Sequence, residues 1–158
     1  MAVINSANLI DKDFNDTFIS QARACDVQAS SIFDQRWKII RAANMNPSNA
    51  DENNIRKLDH EAMESFHPDA VFSIGYDSYT TTTQMAAFHT SRFTYYAVLT
   101  DYNSQKELWK GRVDLSPAAS WDQSKPDASP SAVLAHDLLR KMAADGILKN
   151  CPLEIPAH

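Results

Sequence analysis

The sequence predicts an α/β domain of the α+β kind: a mixed sheet of about four to five strands and three to four helices, in a two- or three-layer sandwich. Segments with apolar residues at helical spacing alternate along the chain with segments of period two. The clearest period-two segments, 92–100 and 108–115, flank a short polar stretch and predict a late antiparallel hairpin. A strong helix pattern follows that hairpin, so the C-terminal part reads as hairpin then helix.

Val3 and Ile4 predict a short first strand. Asp11 or Asp13 offers an N-cap. Phe14, Phe18, Ile19, Ala22 and Cys25 then share one face of a helix over about 11–25. Residues 27–33 alternate imperfectly and predict a strand. Residues 34–43 fit a helix through Trp37 and Ile40, or a continuation of that strand. Asn, Ser, Asp and Pro dominate 44–54, which is loop chemistry. Ile55, Leu58, Ala62, Met63 and Phe66 line a second helix that Pro68 ends.

Residues 69–76 predict a strand with Phe72, Ile74 and Tyr76 on one side. The segment 79–90, with its threonine run over 80–83, extends that strand or forms a loop. In the hairpin, Phe93, Tyr95, Ala97 and Leu99 lie on one side of the first strand, and Trp109, Gly111, Val113 and Leu115 on one side of the second. A Pro/Ser/Asp-rich excursion containing Trp121 follows. Ser129 as N-cap and Pro130 in the first turn open the last helix, whose stripe is Leu134, Leu138, Leu139 and Met142. Gly146 suits a left-handed cap, with Ile147 packing back on the helix. No linker or internal repeat divides residues 1–158, so one domain is expected, with a core over about 3–150 and a tail over 150–158.

Composition removes several functions. The chain has 158 residues and a formal net charge of -5, without the basic footprint of a general nucleic-acid binder. With only 3 glycines it cannot write a phosphate-cradling loop, and no nucleotide or other cofactor is expected. No apolar run approaches the roughly 18 residues of a membrane span. The N-terminus lacks a signal peptide's basic and apolar segments, yet starts almost directly on a strand, as a domain trimmed of leader and tether would. A cytoplasmic chain would read the same way.

Several segments together resemble a family. They are Asp69-Ala70-Val71 opening a strand, Trp109-Lys110-Gly111 in the hairpin, and Asp145-Gly146-Ile147-Leu148 closing the last helix. In that order they resemble small bacterial envelope lipoproteins: the penicillin-binding-protein activator lipoproteins and the related curli-secretion-type and Tol-type N-terminal domains. The resemblance spans about 3–150 and each motif also has a folding role. It implies a non-enzymatic, periplasmic or outer-membrane-anchored domain that binds another envelope protein, with a lipid anchor outside this chain.

Candidate chemistry is sparse. Cys25 closes the first helix and Cys151 follows the last, so the two pair if those helices lie side by side, and otherwise are free thiols. His60, His67, His89, His136 and His158 are scattered, and Glu64 stands where an HExxH zinc site needs its second histidine. No Gly-x-Ser-x-Gly elbow is present, so no metal or catalytic residue is assigned. Partner binding is expected at Tyr79, Thr81, Thr83, Phe88 and Trp121, with the threonine run over 80–83 as an edge able to receive a strand. The alternatives are a small enzyme whose His/carboxylate site assembles only in space, and a cytoplasmic adaptor or secreted effector fragment.

Overall fold

A computed structural model of the chain describes residues 1–5, 12–43, 52–84, 88–115, 130–149 and 151–152. Five strands form one sheet: β1 (Ala2–Asn5), β2 (Ser30–Ser31), β3 (Ala70–Gln84), β4 (Phe88–Asp101) and β5 (Glu107–Leu115), ordered β2-β1-β3-β4-β5. β1 is parallel to both β2 and β3, whereas β3, β4 and β5 run as an antiparallel meander. The helices are α1 (Lys12–Ala24), α2 (Ile32–Ala42), α3 (Glu52–Phe66) and α4 (Pro130–Ala144). Mixed sheet, hairpin and closing helix agree with the expected fold class.

The connections fix the layers. The crossover from β1 to β2 carries α1, and the crossover from β2 to β3, which passes β1, carries α2 and α3. Both join parallel strands but run in opposite directions along the sheet. Parallel crossovers are right-handed, so their helices fall on opposite faces. Packing agrees: α1 lies against α4, and α2 against α3. The sandwich therefore has three layers.

The main core lies under α1 and α4. Phe14, Phe18 and Ala22 of α1 and Leu134, Leu138, Leu139 and Met142 of α4 close over Phe72, Ile74, Ala97, Leu99 and Trp109 of the sheet. Phe18 anchors it, with its ring 5.6 Å from Phe14 and 4.4 Å from Phe72. On the other face Ile32, Ile40, Leu58 and Ala62 are buried outside that cluster. Arg36 Nε and Asp59 Oδ1, 2.8 Å apart, join α2 to α3.

Gly146 ends α4 at φ 75, and the Ile147 amide donates to the Met142 carbonyl at 2.9 Å, the long bond of a Schellman cap. This places Ile147 against the core, as the sequence predicts.

Three expectations are corrected. The strand read over 27–33 shrinks to Ser30–Ser31, and Ile32 and Phe33 begin α2. Residues 34–43 are accordingly helical up to Ala42, rather than a continued strand. Phe33 meets Trp37 one turn later at 6.0 Å, and Arg36 lies over the Phe33 ring. These contacts, with Asp34 in the first turn, favour the helix over alternation. Asp13 lies inside the first turn of α1, not before it. Asp11, Ser129 and residues 44–51 of the expected loop lie outside the described residues, while its last residues, 52–54, open α3 instead.

Candidate functional site

β3 and β4 pair from Ala70↔Asp101 out to Gln84↔Phe88. Their neighbours stop short. β1 reaches only from Val71 to Ile74 of β3, and β5 covers β4 only from Phe93 to Thr100. Among the described residues, 78–84 of β3 and 88–92 of β4 therefore have only each other as strand partners. They form a two-stranded ribbon beyond the layered body. The segment 79–90 thus extends the strand instead of forming a loop, apart from 85–87, which lie outside the described residues.

A β-bulge at the root shapes this ribbon. The register shifts between Tyr76 and Ser78, leaving Asp77 as the extra residue. Tyr76 pairs with Tyr95 before the shift and Tyr79 with Phe93 after it, so all four share the face that carries the main core. The Tyr76 and Tyr95 rings meet edge-on at 6.1 Å, and those of Tyr79 and Phe93 at 4.9 Å. Exposure rises along the strip, from 6% at Tyr95 to 41% at Tyr76 and 52% at Tyr79. Burial, with Tyr76 adding to it, raises the Tyr95 pKa. Hydrogen bonds from Ser91 and then Thr81 lower that of Tyr79, whose hydroxyl lies 3.1 Å from Ser91 Oγ.

The opposite face of β4 and β5 carries exposed polar side chains around the buried Thr94. Tyr96 is half-exposed there, across from Arg112 in register. Arg112 pairs with Asp77 at 3.1 Å and Arg92 with Asp114 at 3.9 Å, while the Thr94 hydroxyl donates to Asp114 at 2.8 Å.

A cleft of about 410 Å³ opens elsewhere, below the N-terminal ends of β1 and β3. Leu99, Met142, Ile147 and Leu148 contribute its apolar lining, and Asp26, His67 and Asp69 its ionisable groups. Asp26 and His67 both sit at positive φ, 58 and 46, where the chain turns out of α1 and α3. Beside this end of the molecule Cys25 and Cys151 are joined as a disulfide, with Cα atoms 4.2 Å apart and 126 residues between them in sequence.

Some known structures are distantly similar to the chain. Lipoprotein GNA1162 from Neisseria meningitidis is 17% identical, with 90% of this chain and 96% of that one covered and a TM-score of 0.44. The hypothetical protein CT253 from Chlamydia trachomatis is 11% identical over 95% and 96% of the two chains, with a TM-score of 0.46. The PelC dodecamer from Paraburkholderia phytofirmans is 12% identical over 85% and 78%, with a TM-score of 0.42. No protein-family model matches the chain, and no curated protein matches it in sequence.

Of the residues expected to bind a partner, Tyr79 and Thr81 lie exposed on the ribbon. Thr83 and Phe88 belong to its backbone, paired with His89 and Gln84, and their side chains lie outside the described residues. Trp121 falls outside the described residues altogether. Tyr76 and Tyr96, two of the strand aromatics that a binding patch could draw on, add exposed aromatic surface. Period two places Tyr76 with Phe72 and Ile74, but nothing in the sequence shows where the helical cover over that face ends.

Among the described residues the histidine side chains are dispersed. His60 and Glu64 are 3.4 Å apart on an exposed face of α3, and His136 meets Gln21 at 3.2 Å between α4 and α1. Among the described residues no group of three or more His, Cys, Asp or Glu side chains is placed to hold a metal ion, and no helix is long and apolar enough to cross a membrane.

Proposed function

We propose that this chain is a non-catalytic domain of a bacterial cell-envelope lipoprotein, and that it binds another envelope protein through the β3–β4 ribbon. The observation that carries the reading is the aromatic strip leaving the core: Tyr95 is buried, Tyr76 is partly open, and Tyr79 is half in solvent. Tyrosine rings anchored at one end and exposed at the other supply rigid contact area at small entropic cost, which is why they recur at interface hot spots. The Cys25–Cys151 pair supports an oxidising compartment, because cytosolic thiols are kept reduced. The sequence resemblance to envelope lipoproteins points the same way.

The His/carboxylate enzyme has one observation in its favour, the presence of His67, Asp26 and Asp69 around the cleft. Its position speaks against it. Open α/β sheets bind ligands at the C-terminal ends of their parallel strands, whereas this cleft lies at the N-terminal ends.

A photo-crosslinking residue at position 79 of the native gene product, expressed in its own cells, tests the proposal. A discrete adduct with another envelope protein is expected, and it should disappear when the crosslinker sits at exposed Glu64 instead. Equal labelling from both positions, or recovery of the protein in the cytoplasm with both thiols reduced, overturns the reading.

A further inference from the structure

We infer that the cleft below the N-terminal ends of β1 and β3 binds a small organic cation, an amine carried on an apolar body. The cleft lies apart from the β3–β4 ribbon, and the inference does not depend on the function proposed for that ribbon.

The cleft's place in the fold sets its charge. At the C-terminal ends of parallel strands helices begin, and their free N–H groups suit anions. At the opposite end helices finish, and their last carbonyls carry partial negative charge that favours cations. Three of the four described helices end at this cleft. Asp26, Val27 and Gln28 follow α1, Phe66 is the last residue of α3, and Ile147 and Leu148 follow α4. Asp26 and Asp69 add two exposed carboxylates. Among the described lining residues no lysine or arginine offsets them. The same position that speaks against an enzyme therefore suits a cation.

One ammonium already sits on this wall. The Met1 amino group donates to the Gln28 carbonyl at 2.7 Å. Burial lowers the pKa of that amine, and the Asp69 carboxylate acts in the opposite sense. A carbonyl past the end of α1, with a carboxylate acting on the same group, is the pairing that a ligand amine would use. The rest of the lining suits the ligand's body. Leu99, Met142, Ile147 and Leu148 offer apolar surface to a hydrocarbon, and Phe66 adds an aromatic ring. At about 410 Å³ the cleft falls in the range of small-molecule sites, roughly 300–1,000 Å³.

Amide NMR of the full, oxidised chain at about pH 7.5, where histidine side chains are mainly neutral, tests this with phenethylamine as the probe. The controls are 3-phenylpropanoate, with the same ring on an anion, and 2-phenylethanol, with the ring uncharged. Phenethylamine should give saturable shifts at Gln28, Asp69 and Leu148, with a Kd of about 1 mM for so small a ligand in an open site. Both controls should bind at least about threefold more weakly. Asp26→Asn with Asp69→Asn should weaken the amine about tenfold, since two exposed charge pairs contribute roughly threefold each. Asn tolerates the φ of 58 at position 26, and position 69 is exposed, so the variant should keep its fold, read from unchanged amide shifts elsewhere. A probe that gives no saturable shift at these amides overturns the inference. So do shifts equally large around exposed Glu64, controls that bind as tightly as the amine, or a folded double variant with unaltered affinity. None of these outcomes touches the crosslink from position 79 to a different protein.

Discussion

Trp109 and Gly111 lie two residues apart on the same side of β5, and each explains the other. The buried Trp109 indole lies across the space that a Cβ at Gly111 would need. Its Nε1–H donates to Asp145 Oδ2 at 2.8 Å, tying β5 to the turn that ends α4. The glycine thus makes room for a ring instead of allowing an unusual backbone. Gly111→Ala should displace the indole, lengthen the bond to Asp145 and destabilise the domain by about 1–3 kcal/mol, the usual cost of overpacking. Urea unfolding followed by Trp fluorescence measures it, and an unchanged midpoint would show that the ring moves aside freely. Gly146 is the contrasting case. A Cβ there meets nothing within 4 Å, but φ is 75, so Gly146→Ala should cost only about 1 kcal/mol through the backbone.

At the scale of elements, the turn between β4 and β5 is organised by one carboxylate. Asp101 Oδ1 accepts from the Ser104 amide at 2.7 Å and from its hydroxyl at 2.8 Å, and Gln105 supplies the positive φ of 56 that closes the loop. The Ser104 amide and hydroxyl bonds lower the Asp101 pKa below its ordinary value of 3.8. An acid with a lowered folded-state pKa contributes stability that is present above the unfolded pKa and lost as pH falls through the folded one. The hairpin should therefore loosen below about pH 4, near the usual carboxylate value. Asp101→Asn keeps the acceptor oxygen and should remove this part of the acid dependence, read by amide exchange of 102–106 at several pH values. Such local chemistry makes β4, β5 and α4 legible in the sequence. Each combines a period with its own punctuation, a polar turn in one case and Pro130 with Gly146 in the other. The stretch 27–33 misleads because alternation in so short a run competes with the one-turn contact from Phe33 to Trp37. The ribbon is half legible: Tyr79 and Thr81 stand out as aromatic and polar edge residues. The bulge that keeps Tyr79 on the face of Tyr76 depends on the register with β4, which no local pattern encodes.

At the scale of the whole molecule, the first and last helices are the pieces most distant in sequence, yet they share one layer. Their stripes are readable; their adjacency comes from topology, since α1 crosses from β1 to β2 and α4 returns over the meander to the same face. The Cys25–Cys151 bond closes this arrangement, linking the end of α1 to the chain just past the Gly146 cap. A cross-link spanning 126 residues removes much of the freedom of the unfolded chain, worth about 4–5 kcal/mol in the chain-entropy model. Reduction, or Cys25→Ser with Cys151→Ser, should lower unfolding free energy by roughly that amount, with measured cross-links often giving less. The loss should appear mainly as faster unfolding if α1 and α4 dock after the meander forms, and as slower refolding if they dock with it. Stopped-flow urea kinetics with and without reductant separates the two. A reduced protein as stable as the oxidised one would show that packing of Phe14, Phe18, Leu138 and Met142 alone holds the helices together.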